Sequence, residues 1–468
     1  MTFKITTNDQ VHFIGIGGIG MSGIAEIMHN IGFKVQGSDP SRNNKNIKRL
    51  QKLGLKVFFN HAKKNVGNSK LVVFSSAIGK DNPELKEAKI KKIPVIQRVE
   101  MLSEIVKLKK NIVISGAHGK TTITSLISTI LSKAKLDPMI INGGILNSIN
   151  SNALFGKGDW AVVEADESDG SFLFLSPKVA VVTNVEPDHL DHWKTFDKIE
   201  AAFVEFCELT KERNGFAVIC ADDEGGKNLI SKAKEKGVKV ISYGTNSDSD
   251  LKITNLKLGL PGPSFDVDYE GKNLGRIELK VLGLHNALNA AAALCVGLGL
   301  GKDFNNLKTG ISKFTGTRRR FEFRGSADGI RVYDDYAHHP TEIAATLKAA
   351  RDVVEGGKIV VAFQAHHYYR TALFNKEFGE ALGLADQVVV LEVFAPGEEA
   401  IPGASGKTMA SLVPLPQDQV VFEPSWSKVA QQLVNRAKPN DIIMTLGAGD
   451  IGLLAPEVLT LLEARQKS

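Results

Sequence analysis

The chain has 468 residues, 43% hydrophobic and 24% charged, with a formal net charge of +6. At roughly 150 residues per domain that is material for about three domains with ordinary cores, so folding needs no disulfide or metal staple. Cys207, Cys220 and Cys295 lie far apart without a CxxC pair, which excludes a structural zinc site and fits a reducing compartment.

The start, residues 1–10, is polar, and no apolar run is long enough to span a bilayer. The expectation is a protein of the cytoplasm with no secretory leader and no membrane span. Residues 1–110 carry 20 Lys/Arg against 8 Asp/Glu. Such an excess attracts polyanions, either nucleic acid or a diphosphate-bearing small molecule. Aromatic residues do not interleave with the lysines, so Lys86, Lys89 and Lys92 read as solvated helix faces, and nucleic acid is not an expected partner.

In chain order, the apolar pattern predicts a strand over 12–15, a helix over 21–31 and a strand over 34–37. Short strands follow at 56–59, 71–75 and 94–97, an alternation that implies a largely parallel sheet. A second series opens with a strand at 111–115 and a helix to about 134, then strands at 160–165 and 179–184. Residues 251–283 alternate apolar with polar residues between Pro-Gly and Glu-Gly turns, the pattern of antiparallel strands. An alanine-rich helix is expected over 285–300. After Thr315-Gly316 a third series places strands near 331–333, 359–363, 388–392 and 442–446. The expected fold class is α/β in three domains. These are a Rossmann-like N-terminal domain (1–107), a central P-loop ATPase-type domain with a small antiparallel sheet (108–315), and a Rossmann-like C-terminal domain (316–468).

Four motifs carry chemistry. Gly15-Ile-Gly17-Gly-Ile-Gly20 lies between a strand and a helix, with Asp39 closing the next strand. Glycines let the backbone approach a diphosphate, the helix N-terminus stabilises its charge, and an acid there can hold a ribose. Alone, it suggests a nicotinamide dehydrogenase. The second motif, Gly116-Ala117-His118-Gly119-Lys120-Thr121-Thr122, departs from the generic GxxxxGK[ST] spacing but keeps the GKT core between a strand and a helix. Backbone amides, the Lys120 ammonium and the Thr121 hydroxyl would serve the phosphates of ATP and magnesium. Third, Glu164, Asp166, Glu167 and Asp169 crowd a strand end, and Asn184-Val-Glu186-Pro-Asp188-His189 follows the next predicted strand. Such acids repel unless a cation sits among them, so one carboxylate and one imidazole from neighbouring strand ends are expected to complete a magnesium shell. Fourth, Asp335-Tyr336-Ala-His338-His339-Pro340 and Gln364-Ala-His366-His367-Tyr-Tyr-Arg370 follow strands of the last series, the ligand edge of open α/β sheets.

Together these motifs resemble the Mur ligases, ATP-dependent amide-forming enzymes of peptidoglycan precursor synthesis, over essentially the whole chain. The order carries the likeness: GIGGIGMSG, GAHGKTT, VVEADESDGSF, EPDHLDHW, GLHNALNAAAA, TRRRFEFRG, YDDYAHHPTE and FQAHHYYRT. ADESDGSF with DHLDH resembles the alanine-adding branch. The resemblance implies ATP-dependent joining of L-alanine to the lactyl carboxylate of UDP-N-acetylmuramate through an acyl phosphate, and nothing redox. It implies UDP contacts from Gly15, Gly17, Gly20 and Asp39 with Ser75 and Ser76 nearby, and sugar or lactyl contacts from Asn147, Ser148, Glu167 and Ser168. Lys120 would meet the γ-phosphate, Thr121, Glu164 and His189 would hold Mg2+, and His285, Asn286 and Asn289 would meet adenine. Arg320 and Asp335 would meet phosphate and ribose, Tyr336, His338 and Arg370 the amino acid, with His338 orienting the amine or taking its proton. Closure of the last domain on ATP is also implied. Alternatives are a recycling ligase that attaches a whole tripeptide to the same sugar and, further off, a non-catalytic nucleotide-binding regulator. Oligomeric state is left open.

Three departures stand out. The family pattern FQPHRYxRT reads here with Ala365 and His367, which removes an arginine fork and puts amino-acid choice in question. Ala337 replaces a glycine, which matters only where φ is positive. Val204 and Glu205 stand near the place where sister ligases carry a carbamylated lysine, so no carbamate is expected.

Overall fold

The computed structural model describes residues 5–75, 77–146 and 151–467. Ser76, Asn147 and Ser148, named above for the substrate, lie outside the described residues. The chain forms two compact units, one of Met1–Thr254, Asp266–Gly275 and Leu288–Phe314, the other of Asn255–Phe265, Arg276–Ala287 and Thr315–Ser468.

The first unit opens with the strands Gln10–Ile14, Lys34–Ser38, Lys56–Phe58, Leu71–Phe74 and Val95–Gln97. They make a five-stranded sheet in the chain order third, second, first, fourth, fifth, and every pair is parallel. The order reverses between Gln10–Ile14 and Leu71–Phe74, and the crevice at such a reversal is where these sheets take ligands. Gly15 and Ser75 follow those two strands directly. The helix Ile19–Ile31 starts as soon as the glycine turn ends, two residues before the predicted start. Gly32 stops it at φ 107°, a left-handed cap whose N–H returns to the carbonyls of His29 and Met28. Its Ile24, Ile27 and Met28 are fully buried, each worth roughly 2 kcal/mol.

The lysines of the basic excess face water, with Lys86, Lys89 and Lys92 exposed. Under the sheet lies a polar knot instead. Glu84, fully buried, accepts from Asn65 Nδ2 and from the amide of Ala62 at 3.1 Å, and meets His12 Nε2 at 3.2 Å and the Ser38 hydroxyl.

The central sheet has ten strands. Strand Lys110–Ser115 pairs in parallel with Trp160–Glu164 on one side and Val179–Val182 on the other. Phe216–Cys220 and Val240–Gly244 continue it in parallel beyond Val179–Val182. The three strands Leu251–Lys257, Ser264–Tyr269 and Lys272–Glu278 form one end of this same sheet. At the other end, Met139–Leu146 and Ser151–Leu154 pair antiparallel. Asn152 there donates to the Ile19 carbonyl at 2.8 Å and accepts from Arg49 at 3.1 Å, tying the glycine-turn helix to the central sheet.

The second unit carries a six-stranded sheet. Strands Ile330–Asp335, Ile442–Leu446, Ile359–Phe363, Gln387–Val390 and Val420–Phe422 are parallel neighbours in that order, and Glu322–Ala327 pairs antiparallel with Ile330–Asp335. Its two faces bury separate apolar clusters, Ile343, Leu347 and Phe378 on one side and Val429, Leu433 and Val458 on the other.

Candidate functional site

At the reversal point of the first sheet, Gly15 turns at φ 79°, and its amide and that of Ile16 donate to the Ser38 carbonyl at 2.8 and 3.1 Å. Asp39, expected at a ribose, organises the turn. One carboxylate oxygen accepts from Gly17 N and the other from Ser41 N, both at 2.9 Å. Each oxygen keeps a further lone pair for a ligand. A Cβ on Gly17 would lie 2.8 Å from Asp39 Oδ2, and one on Gly20 would lie 2.8 Å from Arg98 Nη1. Arg98 therefore covers the start of the helix Ile19–Ile31, where it adds a fixed positive charge beside the backbone amides. Motif reading missed Arg98; its only signal is a lone arginine directly after a predicted strand, at the ligand edge.

The phosphate loop leaves the strand Lys110–Ser115. Gly116 sits at φ 124°, where a Cβ would be 2.1 Å from Thr183 Oγ1, and Gly119 at φ 82°, with Asn289 Oδ1 2.8 Å from its missing Cβ. Both positions exclude side chains, which explains why this loop holds its glycines although their spacing is not generic. Asn289, expected at the adenine, thus borders the loop itself. Asn184 accepts from the His118 amide at 2.9 Å. Lys120 folds back on the loop, donating to Ala117 O at 3.0 Å and Glu167 Oε1 at 2.9 Å. Burial pulls its ammonium pKa down, but Glu167, Glu164 and Asp166 outweigh that and hold it above the ordinary value.

Thr121 Oγ1 donates to Glu164 Oε1 at 3.0 Å, and Glu164 Oε2 accepts from the Gly143 amide. That separation matches the edge of an octahedral shell with bonds of ~2.1 Å, and both are hard oxygen donors, so Thr121 and Glu164 fit magnesium. The strands bearing Glu164 and His189 are not neighbours, a correction to the sequence reading: the phosphate-loop strand lies between them. The acids and imidazole therefore converge on the loop from both sides. His189 Nε2 stands 3.6 Å from Glu167 and 3.5 Å from Asp188. Burial opposes its protonation, yet those carboxylates with Asp166 raise its pKa; binding a metal would release that proton. Glu167, assigned to the sugar with Ser168, is the shared partner of Lys120 and His189.

In the second unit, Asp335 is buried and its oxygens accept from Phe321 N at 2.6 Å and Ala337 N at 2.7 Å. Burial pushes its pKa up to about 6 against the pull of Arg320. Ala337 has no positive φ, so a glycine is not required there. Arg319, in none of the expected sites, ties Asp334 to the carbonyls of Gly447, Ala448 and Gly449. His285 is pushed down to about 4 by burial and by Arg320, leaving a neutral ring at pH 7 whose Nε2 lies 3.2 Å from Asn286 Nδ2. His338 Nδ1 lies 3.1 Å from the Tyr336 carbonyl, which can only accept. Glu342 Oε2 lies 3.2 Å from the same Nδ1, so both neighbours place the proton there, which leaves Nε2 as the nitrogen able to carry a lone pair. Arg320 stacks over Tyr336, 5.3 Å from ring centroid to guanidinium carbon, and Arg370 lies in the short helix Tyr368–Leu373. His367, where the family pattern has arginine, spends its Nδ1 on Glu398, which also accepts from the Tyr368 amide at 3.0 Å. It is a staple between two loops.

Sequence profiles of the Mur ligase family match three stretches: the Mur ligase family catalytic domain over 10–110, the middle domain over 114–297 and the glutamate ligase domain over 319–449. The chain belongs to the Mur ligase family. Among curated relatives it is 47% identical over 457 residues to the UDP-N-acetylmuramate–L-alanine ligase of Acidothermus cellulolyticus, covering 97% of this chain and 95% of that one. The enzyme of the same name from a Geobacter strain is 42% identical, with 98% and 99% covered. Among solved structures, the UDP-N-acetylmuramate-alanine ligase of Thermotoga maritima superposes with TM-score 0.81 at 28% identity, over 97% of this chain and 99% of that one. A murein peptide ligase from Psychrobacter arcticus shares the fold with TM-score 0.69 at 21% identity, over 97% and 99%. No helix among the described residues is long and apolar enough to cross a membrane.

Proposed function

We propose that this chain is an ATP-dependent ligase joining L-alanine to the lactyl carboxylate of UDP-N-acetylmuramate, with release of ADP and phosphate, in the cytoplasm. The observation that carries the reading is the convergence of Lys120, Thr121, Glu164, Glu167 and His189 on one glycine-bound loop, in a chain 47% identical to a ligase of that name.

The chemistry follows from the substrate. A carboxylate oxygen is a poor leaving group, so it first attacks the γ-phosphorus of ATP, the β–γ bridge breaks and ADP departs. The alanine amine then attacks the acyl carbon, the C–O bond to phosphate breaks, and one proton leaves the nitrogen. Lys120 exchanges Glu167 for a γ-phosphate oxygen and stabilises the charge that develops there. Thr121, Glu164 and His189 would hold Mg2+, which supplies Lewis-acid neutralisation of the phosphates. The turn from Gly15 to Gly20, with Asp39 and Arg98, binds the UDP moiety; Ser75 lies at the same sheet edge. His285, Asn286 and Asn289 take adenine, Arg320 and Asp335 the nucleotide's phosphate and ribose. In the last domain Tyr336 and Arg370 seat alanine, and His338 Nε2 accepts the amine proton. The test is mass spectrometry of the product. A UDP-sugar heavier by one alanyl residue supports the reading, and one heavier by a tripeptide assigns the chain to the recycling reaction.

A further inference from the structure

One polar atom at the ligand edge of the last sheet is used by nothing in the fold. Gln364 directly follows the strand Ile359–Phe363 and is only 9% exposed. Its Nε2 donates to the Glu392 carbonyl at 3.2 Å, which fixes the amide plane and turns Oε1 the other way. Among the described residues Oε1 has no hydrogen-bond partner. Buried acceptors are almost always paired, because leaving one bare forfeits its hydration without return.

The surroundings say what would pair with it. A Cβ built on Gly449 would lie 3.5 Å from Gln364 Oε1 and 3.1 Å from the Phe394 ring. Gly449 adopts φ −77° and ψ −150°, a backbone open to any residue, so glycine here serves space and not conformation. His366 stacks on Phe394, 5.8 Å between centroids. Burial pushes its pKa down to about 4, helped by His367, His338 and Arg370, so it is a neutral ring at pH 7. The bare oxygen is buried beside Gly449 and the Phe394 ring, six residues before Arg370 in the chain. It wants a small N–H donor, and the edge's cations suit a carboxylate.

We propose that Gln364 Oε1 accepts a hydrogen bond from the amine of the incoming amino acid and aims its nitrogen at the acyl carbon, with Gly449 kept bare to admit it. The inference rests on the last domain being the amino-acid site and gives a role to a residue that the motif contains without one. A neutral acceptor suits the step. A carboxylate at this place would hold the nitrogen as ammonium, without a lone pair, whereas a carbonyl orients an N–H and still lets the proton leave.

Steady-state kinetics of Gln364→Leu and Gly449→Ala test it, with hydroxamate formation from hydroxylamine in place of alanine as a readout of the acyl phosphate. Gly449→Ala removes neither partner of the Gln364–Glu392 bond and only sets a methyl beside Oε1, against the Phe394 ring. The expected result in both variants is a KM for alanine raised roughly tenfold or more, with the KM values for ATP and the UDP-sugar and the hydroxamate rate near wild type. An unchanged KM for alanine in both variants overturns the proposal, as does a parallel change in every constant, which would mark a structural role. A wild-type enzyme that forms no sugar-dependent hydroxamate overturns instead the ligase reading beneath it.

Discussion

Lys120 spends its ammonium on two loop carbonyls and on Glu167. On the proposed reading, removing it would leave Glu167 and the γ-phosphate of bound ATP without that cation between them. Lys120→Ala should lower kcat roughly 10²–10³-fold, the usual loss for a preorganised charge at a transition state, with little change in thermal midpoint. Loss of fold together with activity would argue against that role. Gly116 is constrained by space and conformation at once, so Gly116→Ala must displace Thr183 or abandon the loop. Its ATP turnover should fall by at least the same factor while affinity for the UDP-sugar, proposed to bind at the separate Gly15–Gly20 turn, is kept, measured by calorimetry. Arg98 stands over the first helix's start, and Arg98→Ala should weaken UDP-sugar binding roughly tenfold, the worth of one charge-assisted contact, leaving the KM for ATP unchanged. Equal effects on both nucleotides would place Arg98 elsewhere in the mechanism.

Among the elements, the buried knot of the first sheet makes the clearest prediction. Burial pushes the Glu84 carboxyl up, but hydrogen bonds from His12, Ser38 and Asn65 and the attraction of His12 overcome it and hold the pKa at about 2. A carboxylate lowered from the ordinary 4.5 to about 2 contributes roughly 3 kcal/mol. That stability is present above pH ~4.5 and drains away as pH falls toward 2. Wild type should therefore exceed Glu84→Gln in denaturant stability at pH 7, with the gap narrowing between pH 5 and 3; a gap independent of pH would refute it. The same scale shows which elements sequence patterns reveal. Strands such as Ile359–Phe363 and Ile442–Leu446, buried on both faces, announce themselves as apolar runs and match their expected ranges. Glu322–Ala327, unnamed in the sequence reading, is an edge strand with a register shift between Phe323 and Gly325 and half of its residues exposed. Met139–Leu146 carries Asn-Gly-Gly inside it, which reads as a turn until a neighbouring sheet claims it. Phe216–Cys220, five buried residues, is an apolar run of the same kind that the expected strands do not include.

Over the whole molecule, the first and last site motifs lie hundreds of residues apart, yet their order alone suggests the family, because the four that carry chemistry each lie at or just after the end of a strand, and a parallel sheet gathers its strand ends at one edge. What sequence did not show is what the third dimension supplies. The flanking of the phosphate loop by the Glu164 and His189 strands depends on strand order, which local patterns do not encode. Arg98 belongs to no motif, Arg319 and Gln364 lie inside quoted motifs that give them no role, and His367 is a loop staple because Glu398 is folded against it. The most direct test of the central claim is phosphate release from ATP and Mg2+ with and without UDP-N-acetylmuramate, against L-alanine, glycine, serine and tripeptide. Release that needs both the UDP-sugar and L-alanine, matched by a product one alanyl residue heavier, is the predicted result. Release that needs the sugar but prefers the tripeptide, or none that depends on the sugar at all, would contradict it.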